Sequence, residues 1–312
     1  MSNEKMEAGA GRGWLLAAMA APLAHASGAG WLVAGVLAGI ALPLTRRIGN
    51  GWERMGKPML FAQLVWMSVM LGILLQNMEN YWPAPRAYVV ALTLLVLAAL
   101  PISRERSARI GAVLLWAVAL LFVPIGLCAL GEIRMDLLMP RWDGWAWAVV
   151  PGLLLPGLYG LVQESNEGIK KKTLAVVGIF VTAMGILTQG IVGERISQME
   201  PAPLHVAAQT MRLGGLSRFE VIVSMAMTLS YYAMTSYMME CAKAVGAQLG
   251  ITGNGLAWCV AGVSGASLMW LKDGAQIWAA GCVIAWCILP ILYGKRKLKK
   301  TKKVLDKWKR AW

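Results

Sequence analysis

The chain has 312 residues, of which 58% are hydrophobic and 15% charged, and its formal net charge is +14. This composition favours a single membrane-embedded bundle and leaves no room for a sizeable soluble domain. The charge distribution argues against nucleic-acid binding, because ten basic residues lie within residues 295–312 and most of the others lie in short gaps between apolar stretches.

Ten apolar stretches follow one another along the chain. A bilayer core is crossed by about 20 apolar helical residues, and fewer suffice where a helix is broken or packed inside a bundle. The predicted spans are residues 14–26, 30–44, 58–76, 86–101, 108–130, 145–163, 173–193, 219–243, 255–271 and 275–293.

The basic residues concentrate in alternate gaps between these spans. With a cytoplasmic N-terminus, 23 of the 30 Lys and Arg residues fall on the inner side. The positive-inside rule then predicts a multi-pass protein of the cell membrane with both termini in the cytoplasm. Tryptophans at span ends are expected to anchor the chain at the membrane interface. They are Trp14, Trp31, Trp82, Trp142 and Trp145.

The first apolar region, residues 14–44, is too long for one span and short for two. Pro22, His25, Ser27 and Gly28 interrupt it. Proline removes a backbone donor and glycine permits non-helical angles, so we expect the helix to break here. A lone histidine in such a break either packs as a neutral side chain or faces a ligand.

The sixth span carries a second interruption, at Pro151, Gly152, Pro156 and Gly157, followed by Tyr159. Interrupted helices at corresponding positions of two halves indicate an inverted-repeat transporter fold. Spans one and six correspond in a five-plus-five repeat. The alternative is that both interruptions are ordinary kinks of membrane helices.

The eighth span carries a row of hydroxyl groups, which we call the hydroxyl face: Ser224, Thr228, Tyr231 and Thr235. Their spacing places them on one side of a helix. Hydroxyls facing lipid would lack partners, so this face is expected to point into the bundle. It could line a ligand cavity or bond to neighbouring helices. Near its end, Glu240 and Lys243 lie one turn apart and could pair.

The sequence contains none of the common motifs of catalysis or metal binding. The histidines are His25 and His205 alone, so no His-Glu-x-x-His zinc helix exists, and no Cys/His cluster has metal-binding spacing. Neither a Gly-x-Ser-x-Gly elbow nor a phosphate-binding Gly-x-x-x-x-Gly-Lys loop is found. The sequence predicts no enzyme, no cofactor and no metal site.

Two further segments complete the organisation. In the outer segment 194–218, Leu204, Ala208, Met211 and Gly215 fall on one face of a short helix expected on the surface of the bundle. Residues 1–294 form one permease-like domain, and the basic tail 295–312 is amphipathic, either lying on an anionic inner leaflet or ending the last span.

Several segments resemble the endospore germination permease family, the membrane-embedded B subunits of nutrient germinant receptors. The resemblance covers most of the chain in order and span count. It rests on short motifs: Arg106-Ser-Ala-Arg109-Ile-Gly before the fifth span, Asp136-Leu-Leu-Met-Pro140, Glu200-Pro-Ala-Pro203, Leu216-Ser-Arg218-Phe-Glu220, and Pro22 with Ala26, Gly30 and Trp31.

The resemblance implies a LeuT-like fold of the amino acid–polyamine–organocation transporter superfamily. It further implies a small germinant, often an amino acid, bound between spans one, three, six and eight, and partnership with a larger A-type membrane subunit and a C-type lipoprotein in the inner membrane of the spore. Carried onto this chain, the ligand site comprises Pro22, His25, Ser27, Gly28, Pro156, Gly157, Tyr159, Ser224, Thr228, Tyr231 and Thr235.

The chain departs from the family ahead of Pro22. Family members usually carry a glycine there, whereas Leu15–Ala21 consists of good helix formers. Two alternative functions therefore stay open beside germinant sensing. One is ion-coupled transport of amino acids or polyamines, and the other is a structural membrane subunit without a ligand.

Overall fold

The computed structural model describes residues 3–23, 36, 48, 51–129, 133–134, 150–162, 189–193, 203–210, 219–271, 278 and 281–293. Within these ranges the chain is helical and contains no strand, as predicted for the all-α class. The helices are α1 Asn3–Leu23, α2 Lys57–Gln76, α3 Arg86–Ala99, α4 Arg104–Ala129, α5 Leu155–Val162, α6 Pro203–Thr210, α7 Phe219–Leu249, α8 Asn254–Trp270 and α9 Gly281–Tyr293.

Three of these helices contain or adjoin turns that are not α-helical. A π-helical turn, Val150–Leu154, leads directly into α5, and a second one, Ile284–Ile288, lies inside α9. A short 3-10 helix, Asn77–Asn80, continues α2. Proline explains the first π-turn, because Pro151 and Pro156 cannot donate the backbone hydrogen bonds of a regular helix.

The predicted spans agree with the helices to within a few residues at α2, α3, α8 and most of α4. The first and eighth predicted spans differ more from the observed helices. The first helix begins at Asn3, eleven residues before the predicted start at 14, because the polar residues ahead of Trp14 are compatible with a helix. The eighth continues to Leu249, six residues beyond the predicted end at 243. The predicted second span lies largely outside the described residues.

Helix α7 lies at the centre of the fold. It packs against α1, α2, α3, α4, α5, α6 and α8. Every residue from 233 to 242 is buried, so the helix is enclosed on all sides over this stretch. A helix surrounded in this way must satisfy its polar side chains with neighbouring protein groups, because water does not reach them.

Helices α2 and α4 have the length and apolar composition needed to cross a membrane. The two stretches, Lys57–Asn80 and Arg104–Val123, have mean hydropathies of 1.9 and 1.7. They are the helices of that kind in the described part of the chain, and α3 and α9 are shorter apolar helices. Helix α7 is long, but its many hydroxyl side chains lower its hydropathy.

The two helices differ in their surroundings. The apolar stretch of α2 is 61% buried and that of α4 only 22%. One face of α4 is exposed and apolar from residue 110 to residue 123, at Ile110, Val113, Trp116, Leu120 and Val123. An apolar face of this extent is typical of contact with lipid or with another apolar surface. These helices support association of the protein with a membrane.

Candidate functional site

The predicted break in the first span lies mostly outside the described residues. Pro22 is buried, and it lies inside α1 as far as that helix is described, to Leu23. His25, Ser27 and Gly28 lie outside the described residues. The alanines that precede the proline, Ala17, Ala18, Ala20 and Ala21, are completely buried. The structure therefore surrounds this end of α1 with protein.

The predicted interruption of the sixth span takes the form of a π-turn rather than a gap between two helices. Pro156, Gly157 and Tyr159 are all buried in α5, immediately after the turn. A Cβ atom at Gly157 would lie 2.8 Å from the Cys287 Sγ, so this position needs glycine to let α9 approach. The interruption thus serves close packing between two helices.

The first helix touches the interrupted sixth span. Helix α1 packs against both the π-turn and α5. At the point of approach, a Cβ atom on Gly11 would lie 3.8 Å from the Tyr159 hydroxyl oxygen. Helix α1 is therefore packed against the described part of the sixth span, and the contact at Gly11 lies three residues before the predicted start of span one.

The hydroxyl face points into the bundle, as predicted from the absence of partners in lipid. Ser224, Tyr231 and Thr235 are buried, and Thr228 is half-buried. The threonine hydroxyls donate to the carbonyl oxygens one turn earlier, Thr228 to Ser224 and Thr235 to Tyr231, each at 2.7 Å. Such bonds satisfy the hydroxyls within their own helix.

The N-terminal part of the hydroxyl face, at Ser224 and Thr228, meets the segment that follows α2. The Trp82 Nε1 donates to the Thr228 hydroxyl at 3.0 Å, and the Ser224 hydroxyl donates to the Tyr81 carbonyl oxygen at 3.2 Å. The rings of Tyr81 and Tyr231 lie with their centroids 6.3 Å apart. Trp82 thus contacts the Thr228 hydroxyl. Ser224, Thr228 and Tyr231, which were predicted to line the ligand site, contact the residues that follow the third span.

Helix α6 closes this cluster. Its Leu204, Ala207 and Ala208 are completely buried, which agrees with the predicted short amphipathic helix on the bundle. Its predicted members Met211 and Gly215 lie outside the described residues. The His205 ring stands edge-on to the Tyr81 ring at 5.8 Å between centroids. Burial lowers the pKa of the His205 imidazole below its ordinary value, and the nearby Glu220 carboxylate opposes this shift.

A different face of α7, which sequence reasoning missed, contacts α1 and the sixth span. We call it the second polar face: Ser230, Tyr237 and Cys241. The Ser230 hydroxyl bonds to backbone groups of α1. The Tyr237 hydroxyl donates to the Leu155 carbonyl oxygen at 3.1 Å. The Cys241 thiol approaches the Leu158 carbonyl oxygen at 3.9 Å.

The signal for the second polar face was present in the sequence. Its members follow i, i+7, i+11 spacing, so they share one side of the helix. The face is hard to recognise because apolar Met234 lies within it and because a cysteine in an apolar span resembles a small packing residue. Cys287 behaves in the same way, since its thiol approaches the Leu153 carbonyl oxygen at 3.7 Å.

Two other sequence predictions concern single side chains. Glu240 and Lys243 do form an ion pair, at 2.6 Å between Oε1 and Nζ. The prediction that Trp14 anchors the chain at the membrane interface is wrong, because its side chain is completely buried. Its indole Nε1 donates to the Ala233 carbonyl oxygen and to the Ser236 hydroxyl, each at 3.1 Å. The longer α1 places this tryptophan mid-helix.

The site is thus a contact of a central hydroxyl-rich helix with α1 and with the π-turn segment of the sixth span. Backbone carbonyls and hydroxyls are suited to bind the polar groups of a small ligand or to stabilise alternative positions of the segments. Comparison of the chain with protein-family models and with curated proteins found no match in either.

Proposed function

We propose that this chain is the permease-like membrane subunit of a spore nutrient germinant receptor, and that it is not an enzyme. In this proposal it has ten membrane helices in a LeuT-like five-plus-five repeat, with both termini in the cytoplasm. A small germinant, an amino acid, binds within the bundle. A larger A-type membrane subunit and a C-type lipoprotein then receive the signal in the inner membrane of the spore.

One observation carries the proposal: a single central helix is bonded both to α1, after which a break is predicted, and to the interrupted sixth span. Ser230 of α7 contacts α1, and Tyr237 of the same helix contacts Leu155 beside the π-turn. A germinant that displaced either segment would change these contacts. A ligand shifts such an equilibrium only by binding one arrangement more tightly than the other, and the exchange of defined hydrogen bonds provides that difference.

The dimensions of the helices also support a membrane bundle. Helix α7 has 31 residues. At a rise of about 1.5 Å per residue it extends about 46 Å, more than the hydrocarbon core of about 30 Å. Its buried middle and the exposed apolar face of α4 have the arrangement expected of an inner and an outer helix of such a bundle.

Genetics gives the most direct test. Deletion of the gene from its native host should reduce germination of the spores in response to one nutrient, and reintroduction of the gene should restore it. Spores that germinate normally with every nutrient tested would contradict the proposal. Adjacent genes for a lipoprotein and a larger membrane subunit would identify the partners to delete in parallel.

Reconstitution separates sensing from transport. Purified full-length protein in lipid vesicles is given labelled amino acids one at a time, with an imposed proton or sodium gradient. Sensing predicts saturable binding without accumulation. Uptake that depends on the gradient and collapses with an ionophore would instead identify an ion-coupled transporter, and the absence of both would favour a structural subunit.

A further inference from the structure

The Ser230 hydroxyl occupies an unusual position between two backbone groups of α1. It accepts a hydrogen bond from the Ala21 N–H at 2.7 Å and donates one to the Ala17 carbonyl oxygen at 2.5 Å. Those two groups are separated by four residues, which is the spacing of hydrogen-bond partners in an α-helix. A side chain of α7 therefore bridges one turn of α1.

The adjacent turn of α1 lacks a bond for a covalent reason. Pro22 has no N–H, so the Ala18 carbonyl oxygen loses its usual partner four residues later. Insertion of a foreign side chain into the helical hydrogen bonds and the presence of proline are two recognised causes of helix bending. Both occur within Ala17–Pro22.

The surroundings of this turn determine what its backbone groups can bond to. Ala17, Ala21 and Ser230 are all 0% exposed. Separating the Ala21 N–H from the Ala17 carbonyl would leave two buried polar groups without partners, which is costly. The Ser230 hydroxyl removes this cost because it can donate and accept at the same time.

Resting on the proposed function, in which movement of the first span carries the signal, we propose that Ser230 is a positioning residue that lets α1 open at Ala17–Pro22. Glycine is absent from Leu15–Ala21, so the helix gains little from backbone freedom. In this proposal the Ser230 hydroxyl on the neighbouring helix makes the opening of α1 possible instead of a glycine. It holds both backbone groups when the direct bond between them lengthens.

Hydrogen–deuterium exchange of the amides in residues 10–23 tests the proposal on the full-length protein in lipid nanodiscs, without any ligand. In Ser230→Ala the turn loses the partner that stabilises its open form. Because one such bond has a modest net value, exchange should become about five-fold slower. Exchange that is unchanged or faster would overturn the proposal, since a side chain that merely holds α1 in place would slow exchange when present.

Ser236→Ala is the matched control. Ser236 also bonds to α1, but it accepts from the Trp14 indole and bridges no turn of the helix. Its loss should leave exchange of residues 17–23 unchanged or faster. Equal slowing in both variants would show a general effect of the helix contact and would also overturn the proposal.

Ser230→Cys keeps the experiment decisive if the alanine variant does not fold. Its thiol is larger than the hydroxyl and is a weaker donor and acceptor, so exchange should slow by a smaller factor. Wild-type or faster exchange would contradict the proposal. The exchange measurement uses no germinant and no partner. Its result can therefore be interpreted even if the germination test contradicts the proposed function.

Discussion

The indole ring of Trp14 stands edge-on to the ring of Tyr237, with the centroids 5.4 Å apart and the planes at 85°. This geometry is favourable between aromatic rings. It fixes α1 against α7 at the level where the Trp14 Nε1 also bonds to the Ala233 carbonyl oxygen. One side chain thus combines a ring contact and a hydrogen bond between the two helices.

Removal of the Trp14 nitrogen should destabilise the protein moderately. We expect Trp14→Phe to lower the free energy of unfolding by about 1 kcal/mol, because one buried hydrogen-bond donor is lost while a ring is kept. Trp14→Ala should cost about 3–5 kcal/mol by leaving a cavity. Thermal unfolding in detergent measures both. Trp270→Phe is the control, since that side chain is 83% exposed and its replacement should change the unfolding temperature little.

Gly72 permits the closest approach between α2 and α8. A Cβ atom there would overlap the Ser267 hydroxyl and the Ser264 carbonyl oxygen. Gly72→Ala should therefore destabilise the protein by about 1–3 kcal/mol through overpacking. The unfolding temperature of the purified protein provides the measurement.

Gly262→Ala offers a matched comparison on α8. A Cβ atom at this position would meet nothing within 4 Å. The same substitution should here stabilise the helix by about 0.5–1 kcal/mol, because alanine is the better helix former. Equal effects of the two substitutions would show that the packing at Gly72 is not tight.

The docking of α6 should depend on pH. Burial lowers the pKa of His205, so the docked state favours the neutral ring, against the opposing Glu220 carboxylate. Its contribution to docking is fully present above the ordinary pKa of 6.5 and is lost as the pH falls through the lowered value. Amide exchange of residues 203–210, corrected for intrinsic rates, should therefore become faster as the pH is lowered from about 8 to about 5.

His205→Phe tests the origin of that acceleration. Phenylalanine keeps a ring against Tyr81 but has no group to titrate, so exchange of residues 203–210 should lose its excess dependence on pH. An undiminished dependence in this variant would assign the effect to another group.

The Thr228 hydroxyl should affect the germinant response. It accepts the Trp82 Nε1 hydrogen bond, which ties the hydroxyl face to the end of the third span. Thr228→Val keeps the shape and removes the acceptor, so we expect the nutrient concentration for half-maximal germination to shift several-fold at normal membrane abundance. Thr228→Ser retains the hydroxyl and should resemble the wild type. An unaltered response in Thr228→Val would remove this residue from the ligand site.

Helical periodicity and charge were sufficient to predict most described helices and the inward direction of the hydroxyl face. Thr228 and Thr235 could be placed on one side of α7 because a helix repeats every 3.6 residues. Periodicity does not say which neighbour a face meets. The hydroxyl face contacts the end of the third span, whereas the contacts to α1 and α5 belong to Ser230 and Tyr237.

The form of the interruptions was also beyond the sequence. Pro156 indicated correctly that regular α-helical bonding is interrupted nearby, because a missing N–H is a local property. The break predicted at Pro22 lies mostly outside the described residues and stays a prediction. Whether the backbone then separates, bends or gains a residue per turn depends on the side chains that surround it. At Pro156 the close contact of Gly157 with Cys287 accompanies a π-turn.

The two π-turns, Val150–Leu154 and Ile284–Ile288, pack against each other. A π-turn is one residue longer than the α-helical turn it replaces. Each π-turn therefore fixes how the residues before it are rotated about the helix axis relative to the residues after it. Removal of a single residue from either would turn one flank by about 100° about the helix axis. Cys287 would then face away from the Leu153 carbonyl. The spacing of the chain within these ten residues, more than their chemical identity, therefore decides whether the sixth and tenth segments fit together.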